Sequence, residues 1–171
     1  MEKRMKFHCF ILVVILLFMN CKKANKKKDV LKTLIGNSKE YSLKYEIFYD
    51  HDKIKFCLIS SFNNKNEVSC ETLIKKNDGY YSKNTYSKGL SNSKDYNLIL
   101  SISKDTTYSF RSAGNVNSHE IKKINDTVFK STNKIIGISN YEENIFFDKS
   151  YKILKIESYY GDKKFIFKSE R

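Results

Sequence analysis

The chain has 171 residues and a formal net charge of +13, with 32 lysines and arginines against 19 aspartates and glutamates. It contains no proline and no tryptophan, and its aromatic volume comes from 12 tyrosines and 12 phenylalanines. This length suits one domain around one core, so a second domain is not expected. The chain also lacks the roughly 20 consecutive apolar residues that a membrane-spanning helix needs.

The first twenty-one residues have the layout of an export signal. Lys3, Arg4 and Lys6 form a basic start, an apolar run fills residues 10–19, and Cys21 follows almost at once. Ten apolar residues make a helix of roughly 15 Å, about half the thickness of a ~30 Å hydrocarbon core. The run therefore predicts a secretory signal and not a spanning helix.

A cysteine directly after the apolar run resembles the bacterial prolipoprotein signal, with residues 1–20 as the signal peptide and residues 18–20 as a relaxed lipobox. The resemblance implies that type II signal peptidase cuts before Cys21 and that this residue carries diacylglyceryl and acyl groups such as palmitate. It further implies a domain outside the cytoplasm, lipid-anchored to the cell membrane or outer membrane. Lys22, where an aspartate would retain the protein, implies outer-membrane delivery in a cell that has an outer membrane. The residues alone leave open an ordinary cleaved signal or an uncleaved anchor.

Residues 21–42 are expected to form a flexible tether with weak helix, ending near Gly36. Five of its lysines are candidates for contact with anionic lipid headgroups, worth about 1 kcal/mol each near a membrane: Lys22, Lys23, Lys26, Lys27 and Lys28. The alternative is a solvated linker. Because an exported chain meets little nucleic acid, we expect no nucleic-acid partner.

From Leu43 onward, short alternating apolar runs separated by Asn, Asp, Gly, Lys and Ser are typical of strands. Residues 43–171 are therefore predicted to form an all-β domain, a single antiparallel meander of about ten strands. A flat sheet of that size leaves exposed edges, so we expect it to curl into a barrel, half-barrel or sandwich. The architecture resembles lipocalin-like barrels and periplasmic lipoprotein-carrier half-barrels in fold type only.

Two cysteines remain in the predicted mature domain, Cys57 and Cys70. If Asn63 and Asn64 form a two-residue turn, these cysteines face each other on a non-hydrogen-bonded rung, where side chains approach most closely. We therefore expect a disulfide in the oxidising environment that export implies. The alternative is a pair of free, buried thiols acting as small hydrophobes.

The alternation of Leu100 and Ile102 with Tyr108 and Phe110 predicts a hairpin that pairs Ile102 with Tyr108 and Leu100 with Phe110.

The last hairpin is predicted from charge. A four-residue loop at residues 161–164 sets Glu157 against Lys168 and Lys155 against Glu170, and opposite charges across a ladder are stabilising. Its buried face would then carry Leu154, Ile156, Tyr160, Phe165 and Phe167.

Few residues offer catalytic chemistry. Asp50, His51 and Asp52 could supply metal ligands or a general base, but their position between two strands favours an ordinary turn. We assign His119 and Glu120 to exposed strand positions, and residues 142–143 to a loop that is at best a weak cation site. The sequence has no G-x-S-x-G, P-loop or G-x-G-x-x-G motif, so we expect no enzyme, metal or cofactor.

The aromatic residues either fill the core or line a ligand cavity. Tyr80, Tyr81 and Tyr86 lie in an irregular stretch and could rim the mouth of a cavity or a protein-binding surface. The predicted function is a membrane-anchored, non-catalytic lipoprotein that binds an envelope protein partner or an apolar ligand. The alternatives are a carrier of a small hydrophobic ligand, of lipocalin-like or half-barrel type, and a metal-dependent hydrolase built around His51.

Overall fold

The computed structural model describes residues 27–33, 41–63, 65–82, 97–112, 114–137 and 140–169, and all of its regular structure is β-strand. The strands are β1 (Lys27–Thr33), β2 (Tyr41–Tyr49), β3 (Lys53–Phe62), β4 (Lys65–Lys76), β5 (Gly79–Ser82), β6 (Asn97–Leu100), β7 (Thr106–Ser112), β8 (Asn115–Lys123), β9 (Val128–Ile136), β10 (Tyr141–Asp148), β11 (Ile153–Tyr160) and β12 (Lys163–Ser169). In these ranges no helix has the length and apolar character of a membrane span.

All twelve strands belong to one sheet, in the order β6-β5-β4-β3-β2-β1-β12-β11-β10-β9-β8-β7, and every pairing is antiparallel. The predicted all-β antiparallel meander is therefore confirmed, with twelve strands where we expected about ten. The sheet is not closed into a barrel.

The sheet must nevertheless curl strongly. Its two outermost strands, β6 and β7, are consecutive in the chain and are joined by residues 101–105 alone. That connection spans at most about 20 Å, whereas twelve flat strands would separate the outermost two by about 50 Å. β6 accordingly comes into contact with β8. The result is a cup with a concave inner face and a convex outer face.

Strand β1 lies in the middle of the sheet, between β2 and β12. We expected a tether with weak helix here, and for residues 27–33 that expectation is wrong. Leu31 points inward and is fully buried, while Lys28 points outward and forms an ion pair with Glu46 at 2.9 Å. Lysines at outward positions mask a short alternating pattern in the sequence of this segment. Burial of Leu31 in the core fixes which face of the segment points inward.

One end of the cup is a closed apolar floor, which is the hydrophobic core of the domain. Its described residues come from β1–β6 and β8–β12. The fully or almost fully buried members are Leu31, Ile47, Ile54, Leu73, Leu100, Ile121, Phe147, Ile153, Ile156 and Phe167. Tyr80 also belongs to this core, where its ring lies 5.0 Å from that of Tyr151, so it does not rim a mouth as predicted. Tyr86 lies outside the described residues.

The predicted hairpin between residues 100 and 110 is wrong. Leu100 pairs with Tyr80 of β5, and Tyr108 pairs with His119 of β8. The chain leaves β6 at Ser101, whose hydroxyl donates to the Asp78 carbonyl at 2.8 Å and accepts the Lys104 amide at 3.1 Å. Burial of Leu100 against β5 therefore outweighs the local alternation, and the two sequence neighbours end on opposite edges of the sheet.

The predicted register of the last hairpin is also wrong. The turn has two residues, Gly161 with a φ of 53° and Asp162, so Lys155 faces Lys168. Lys155 instead forms an ion pair with Glu157 along its own strand, at 2.9 Å. The two registers differ by two residues and keep the same side chains on the inner face, so the two-residue turn at Gly161 and Asp162 sets the observed one, with Ile156 opposite Phe167.

A further correction applies to the buried face of this hairpin. The register shifts between Phe146 and Phe147, so that Ile153 points inward and is 2% exposed. Leu154, which we placed in the core, is 38% exposed on the outer face. Tyr160 keeps the inner face but is 53% exposed at the open end of the cup.

The Cys57–Cys70 pairing is confirmed. Phe62 pairs with Lys65, and the same register places Cys57 opposite Cys70 with their Cα atoms 4.1 Å apart. The two sulfur atoms are at bonding distance, 2.12 Å. The bond lies on the outer face and joins β3 to β4.

We predict that replacing both cysteines by alanine lowers the free energy of unfolding by about 2–3 kcal/mol, because the bond closes a short loop of the unfolded chain. Urea unfolding of the oxidised protein and of the Cys57→Ala/Cys70→Ala variant would measure the difference. Under reducing conditions the two proteins should differ far less. Two free thiols in the protein isolated without reductant would contradict the bond.

Candidate functional site

The open half of the concave face is the candidate site. Inward positions near the floor are buried, but several inward positions farther along the same strands are exposed to solvent. Glu71 lies opposite the buried Phe56, and Asn133 lies opposite the buried His119, yet both are exposed. Solvent therefore enters the cup above the floor.

Glu143 lies at the centre of this half, on β10. Two tyrosine hydroxyls donate to the same carboxylate oxygen, Oε2: Tyr45 of β2 at 2.8 Å and Tyr141 of β10 at 2.8 Å. Ser158 is the partner of Glu143 across the β10–β11 ladder, and it lowers the pKa of the Glu143 carboxyl. Side chains from β2 and β10 thus hold one carboxylate on the inner face.

The protonation of Glu143 is set by two opposing effects. Burial raises the pKa of its carboxyl above the ordinary value, and hydrogen bonds from the tyrosine hydroxyls oppose this without cancelling it. The same burial, together with the negative charge of Glu143, raises the pKa values of Tyr45 and Tyr141. Both phenols therefore stay protonated and act as hydrogen-bond donors.

A second carboxylate, Glu71 of β4, faces the same space. The buried Ser82 hydroxyl donates a hydrogen bond to its Oε1 atom. The charge of Glu71 raises the pKa values of Glu143 and of Tyr108. In the described part of the chain no lysine or arginine lies within ion-pair distance of either carboxylate.

Aromatic rings line the rim above Glu143. The rings of Tyr141 and Tyr160 are 4.6 Å apart, and those of Tyr160 and Phe165 are 6.4 Å apart. Since Tyr160 is largely exposed, this row offers a ring surface to a molecule entering the cup.

His119 is buried on the inner face, 3% exposed, so its assignment to an exposed strand position is wrong. Its ring stacks on that of Tyr108 at 5.1 Å, and its Nε2 atom lies 3.4 Å from the Ser131 hydroxyl. Burial lowers the pKa of His119 to about 4, so the ring is neutral at pH 7. Glu120 points to the outer face and pairs with Lys122 at 2.7 Å.

Residues 142–143 were assigned to a loop, and this too is wrong, because both lie within β10. Glu142 points outward, 3.6 Å from Lys134, whereas Glu143 points inward. The sequence signal that could have found Glu143 is the alternation of Tyr141, Glu143, Ile145 and Phe147. A glutamate in an otherwise apolar inward series hides that alternation.

The other predicted site residues lie apart from the cup. Asp50, His51 and Asp52 form the turn after β2, and the Asp50 carboxylate accepts the His51 amide at 2.9 Å. The described residues contain no group of three or more histidines, cysteines, aspartates and glutamates arranged to hold a metal ion.

The predicted anchor lies mostly outside the described residues, namely Cys21, Lys22, Lys23 and Lys26. Lys27 is exposed at the start of β1. Lys28 is engaged by Glu46 on the outer face.

The two faces of the sheet differ in charge. The middles of the strands carry lysines at outward positions, including Lys44, Lys55, Lys122, Lys130, Lys155 and Lys168. Inward positions of the open half carry carboxylates, Glu71 and Glu143, and also lysines, Lys65 opposite Phe62 and Lys163 opposite Tyr160. The concave face therefore carries groups of both signs.

Comparisons with protein-family models, with curated proteins and with solved structures found no match to this chain.

We predict that Glu143→Gln changes how stability depends on pH. A folded-state pKa above the unfolded value means that wild-type stability falls as pH rises from about 4.3 through the raised pKa of Glu143. Glutamine cannot ionise, so the stability of the variant relative to wild type should grow across this window by about 1.4 kcal/mol per unit of pKa difference.

Urea unfolding midpoints measured from about pH 4 to pH 8 would show this divergence. His119 titrates in both proteins and cancels in the difference. Tyr45→Phe, which removes a hydrogen bond that lowers the pKa of Glu143, should extend the fall of stability to higher pH. Parallel profiles for wild type and Glu143→Gln would contradict the assignment.

Proposed function

We propose that this chain is a non-catalytic binding protein, tethered to a bacterial membrane by lipid on Cys21, whose concave face binds its ligand. The observation that carries the proposal is the solvent-exposed inner half above a closed floor. Inward polar side chains such as Glu71 and Asn133 are exposed there, although strands surround them. A cup that served only as a core would bury these positions or fill them with apolar residues.

The cup favours an amphipathic ligand over a purely apolar one. Its rim carries the rings of Tyr141, Tyr160 and Phe165, and its interior carries the carboxylate of Glu143 with its tyrosine donors. Ring surface with a few convergent polar groups is the usual composition of a small-molecule site. A ligand would place its apolar part against the rim and its polar part toward Glu143.

The position of β1 supports a defined orientation on the membrane. β1 starts at the floor end, where Lys27 pairs with Tyr49, and runs toward the open end. Five residues separate Cys21 from Lys27, a reach of at most about 20 Å. A lipid on Cys21 would hold the floor near the bilayer, so the cup would open away from it, toward soluble ligands.

We predict that the protein extracted from its native membrane has the mass of residues 21–171 plus a diacylglyceryl group and one further acyl chain. Intact mass spectrometry of wild type and of Cys21→Ala would test this. The variant should stay unprocessed and carry no acyl mass, because the thiol that accepts the lipid is gone. A wild-type mass equal to the bare chain, or membrane association unchanged by Cys21→Ala, would contradict the anchor.

A second candidate function is docking of an envelope protein partner at the open end of β9, β10 and β11. A cleft of ≈ 580 Å³ lies there, lined by Lys134, Ile135, Ile136, Asn140, Tyr141, Glu142, Tyr159 and Gly161. Ile136 is 48% exposed on the outer face beside Val116, its cross-strand partner. Exposed apolar side chains next to a cleft are a common feature of protein-binding surfaces.

A further inference from the structure

We propose that the convex outer face binds a flexible, linear, anionic polysaccharide along a row of lysines that crosses the middle of the sheet. This surface lies on the opposite face of the sheet from the concave site, so the inference goes beyond the proposed binding function. Only the choice of an envelope polysaccharide as the polyanion rests on that function, which places the domain outside the cytoplasm.

The row, which we call the lysine belt, is one continuous rung of backbone pairing across seven adjacent strands, from β2 through β1 and β12 to β8. Each position of the belt is the direct partner of the next one. Six of the seven positions are lysines: Lys44, Lys32, Lys168, Lys155, Phe146, Lys130 and Lys122. At about 4.8 Å per strand, the belt follows the outer face for about 30 Å.

The lysines are concentrated in this one row. The next outward rung toward the open end has no lysine on β8 to β12, where its described positions are Ile166, Glu157, Asn144, Thr132 and Glu120. Like charges directly opposite each other in a sheet are destabilising, so folding alone does not favour a row of lysines. Lysines that protect a sheet from aggregation lie on edge strands, whereas β1 and β12 are in the middle of this sheet. A partner that brings negative charge explains the row.

Much of the positive charge of the belt is accessible to such a partner. Lys130 and Lys168 have no acidic side chain within ion-pair distance among the described residues. Lys44, Lys155 and Lys122 each pair with a glutamate of their own strand, at 3.0, 2.9 and 2.7 Å. Because surface ion pairs of this kind contribute only about 0–1 kcal/mol, these lysines can exchange their glutamates for anionic groups of a polymer.

The curvature of the sheet favours a flexible chain over a flat anionic surface. The sheet curls until β6 contacts β8, so the two ends of the belt face in different directions. A planar bilayer would contact one side of the cup, whereas a flexible polymer can follow the curve. The belt also lies away from the floor, since Lys44 is about 16 Å along β2 from Tyr49 at the floor end.

The chemistry of the belt favours a polysaccharide over a nucleic acid. Proteins that bind single-stranded nucleic acids without sequence preference stack the bases on aromatic rings. The single ring in the belt, Phe146, is covered by the ammonium group of Lys155, 4.0 Å from the ring centroid. Lysine recognises anionic groups as a compact point charge on a flexible stem, which suits the repeated charges of an acidic sugar polymer.

Binding of dextran sulfate of several defined lengths to the full chain, isolated in a non-ionic detergent, would test the proposal. Titration calorimetry at a series of salt concentrations would give the affinity and its salt dependence. We expect the affinity to rise with polymer length until the chain spans about 30 Å, and to fall steeply as salt increases. Neutral dextran of the same lengths should not bind.

Two double variants would locate the binding surface. Lys130→Gln/Lys168→Gln removes two belt charges and breaks no ion pair among the described residues, so it should weaken binding about tenfold or more and lower the salt slope by about 1 to 2. Lys55→Gln/Lys149→Gln is the matched control, because it removes two exposed lysines away from the belt and changes the net charge equally. Its affinity should stay within about twofold of wild type.

No binding of dextran sulfate, or equal weakening by the two double variants, would contradict the belt. Tighter binding of an oligothymidylate of equal charge would contradict the choice of a polysaccharide, and so would binding to phosphatidylglycerol vesicles without binding to dextran sulfate. None of these measurements depends on the concave face or on lipid at Cys21. The polysaccharide proposal and the proposed function therefore fail separately.

Discussion

The ladder between β1 and β12 is the connection on which the whole sheet depends. Strands β2 to β6 form one meander and strands β7 to β12 form another, each held by consecutive neighbours. In the described backbone ladder, β1 joins them through the pairs Leu31 with Ser169, Lys32 with Lys168 and Thr33 with Phe167. Since Leu31 is fully buried beside Tyr45, the two meanders share one core at this point, and the cup exists as a single unit.

The curl that this connection imposes separates the side chains into two environments. Alternation along each strand sends one set of residues to the crowded inner face and the other to the outer face. Lysines with long, hydrated side chains fit the outer face, and the apolar set fills the floor. What remains inside the open half is a small polar group around Glu143, held by Tyr45 and Tyr141 from opposite sides of the β1–β12 junction. The partly buried position of Glu143 therefore follows from the fold and is invisible in the net charge.

The fold class could be predicted because hydrophobic alternation and turn residues act locally. The Cys57–Cys70 pairing was predictable for the same reason, since the turn residues of the sequence predict the pairing of Phe62 with Lys65, which fixes every rung of that hairpin. The β6–β7 hairpin was not, because whether Leu100 pairs with Tyr80 or with Phe110 is decided by burial against a distant strand. The last register failed because the predicted and observed pairings differ by two residues and keep the same face inward, so hydrophobic alternation does not separate them and the turn at Gly161 and Asp162 decides.

The candidate site could hardly be predicted from the sequence. Glu143 becomes recognisable only when β2 and β10, nearly one hundred residues apart, face each other across the cup. His119 was likewise misassigned, because a histidine in an alternating strand gives no sign of which face is buried. The export-signal prediction for the N-terminal segment differs in this respect, because it depends on the local residues alone and not on the fold of the domain.

The central claim is that Glu143 is a carboxylate partly removed from water on the inner face of the cup. A 13C NMR titration of its side-chain carboxyl carbon, assigned with Glu143→Gln, tests this directly. The account predicts a pKa above the ordinary glutamate value of about 4.3, because burial disfavours the charged form by more than the tyrosine hydrogen bonds favour it. A pKa at or below the ordinary value would contradict it.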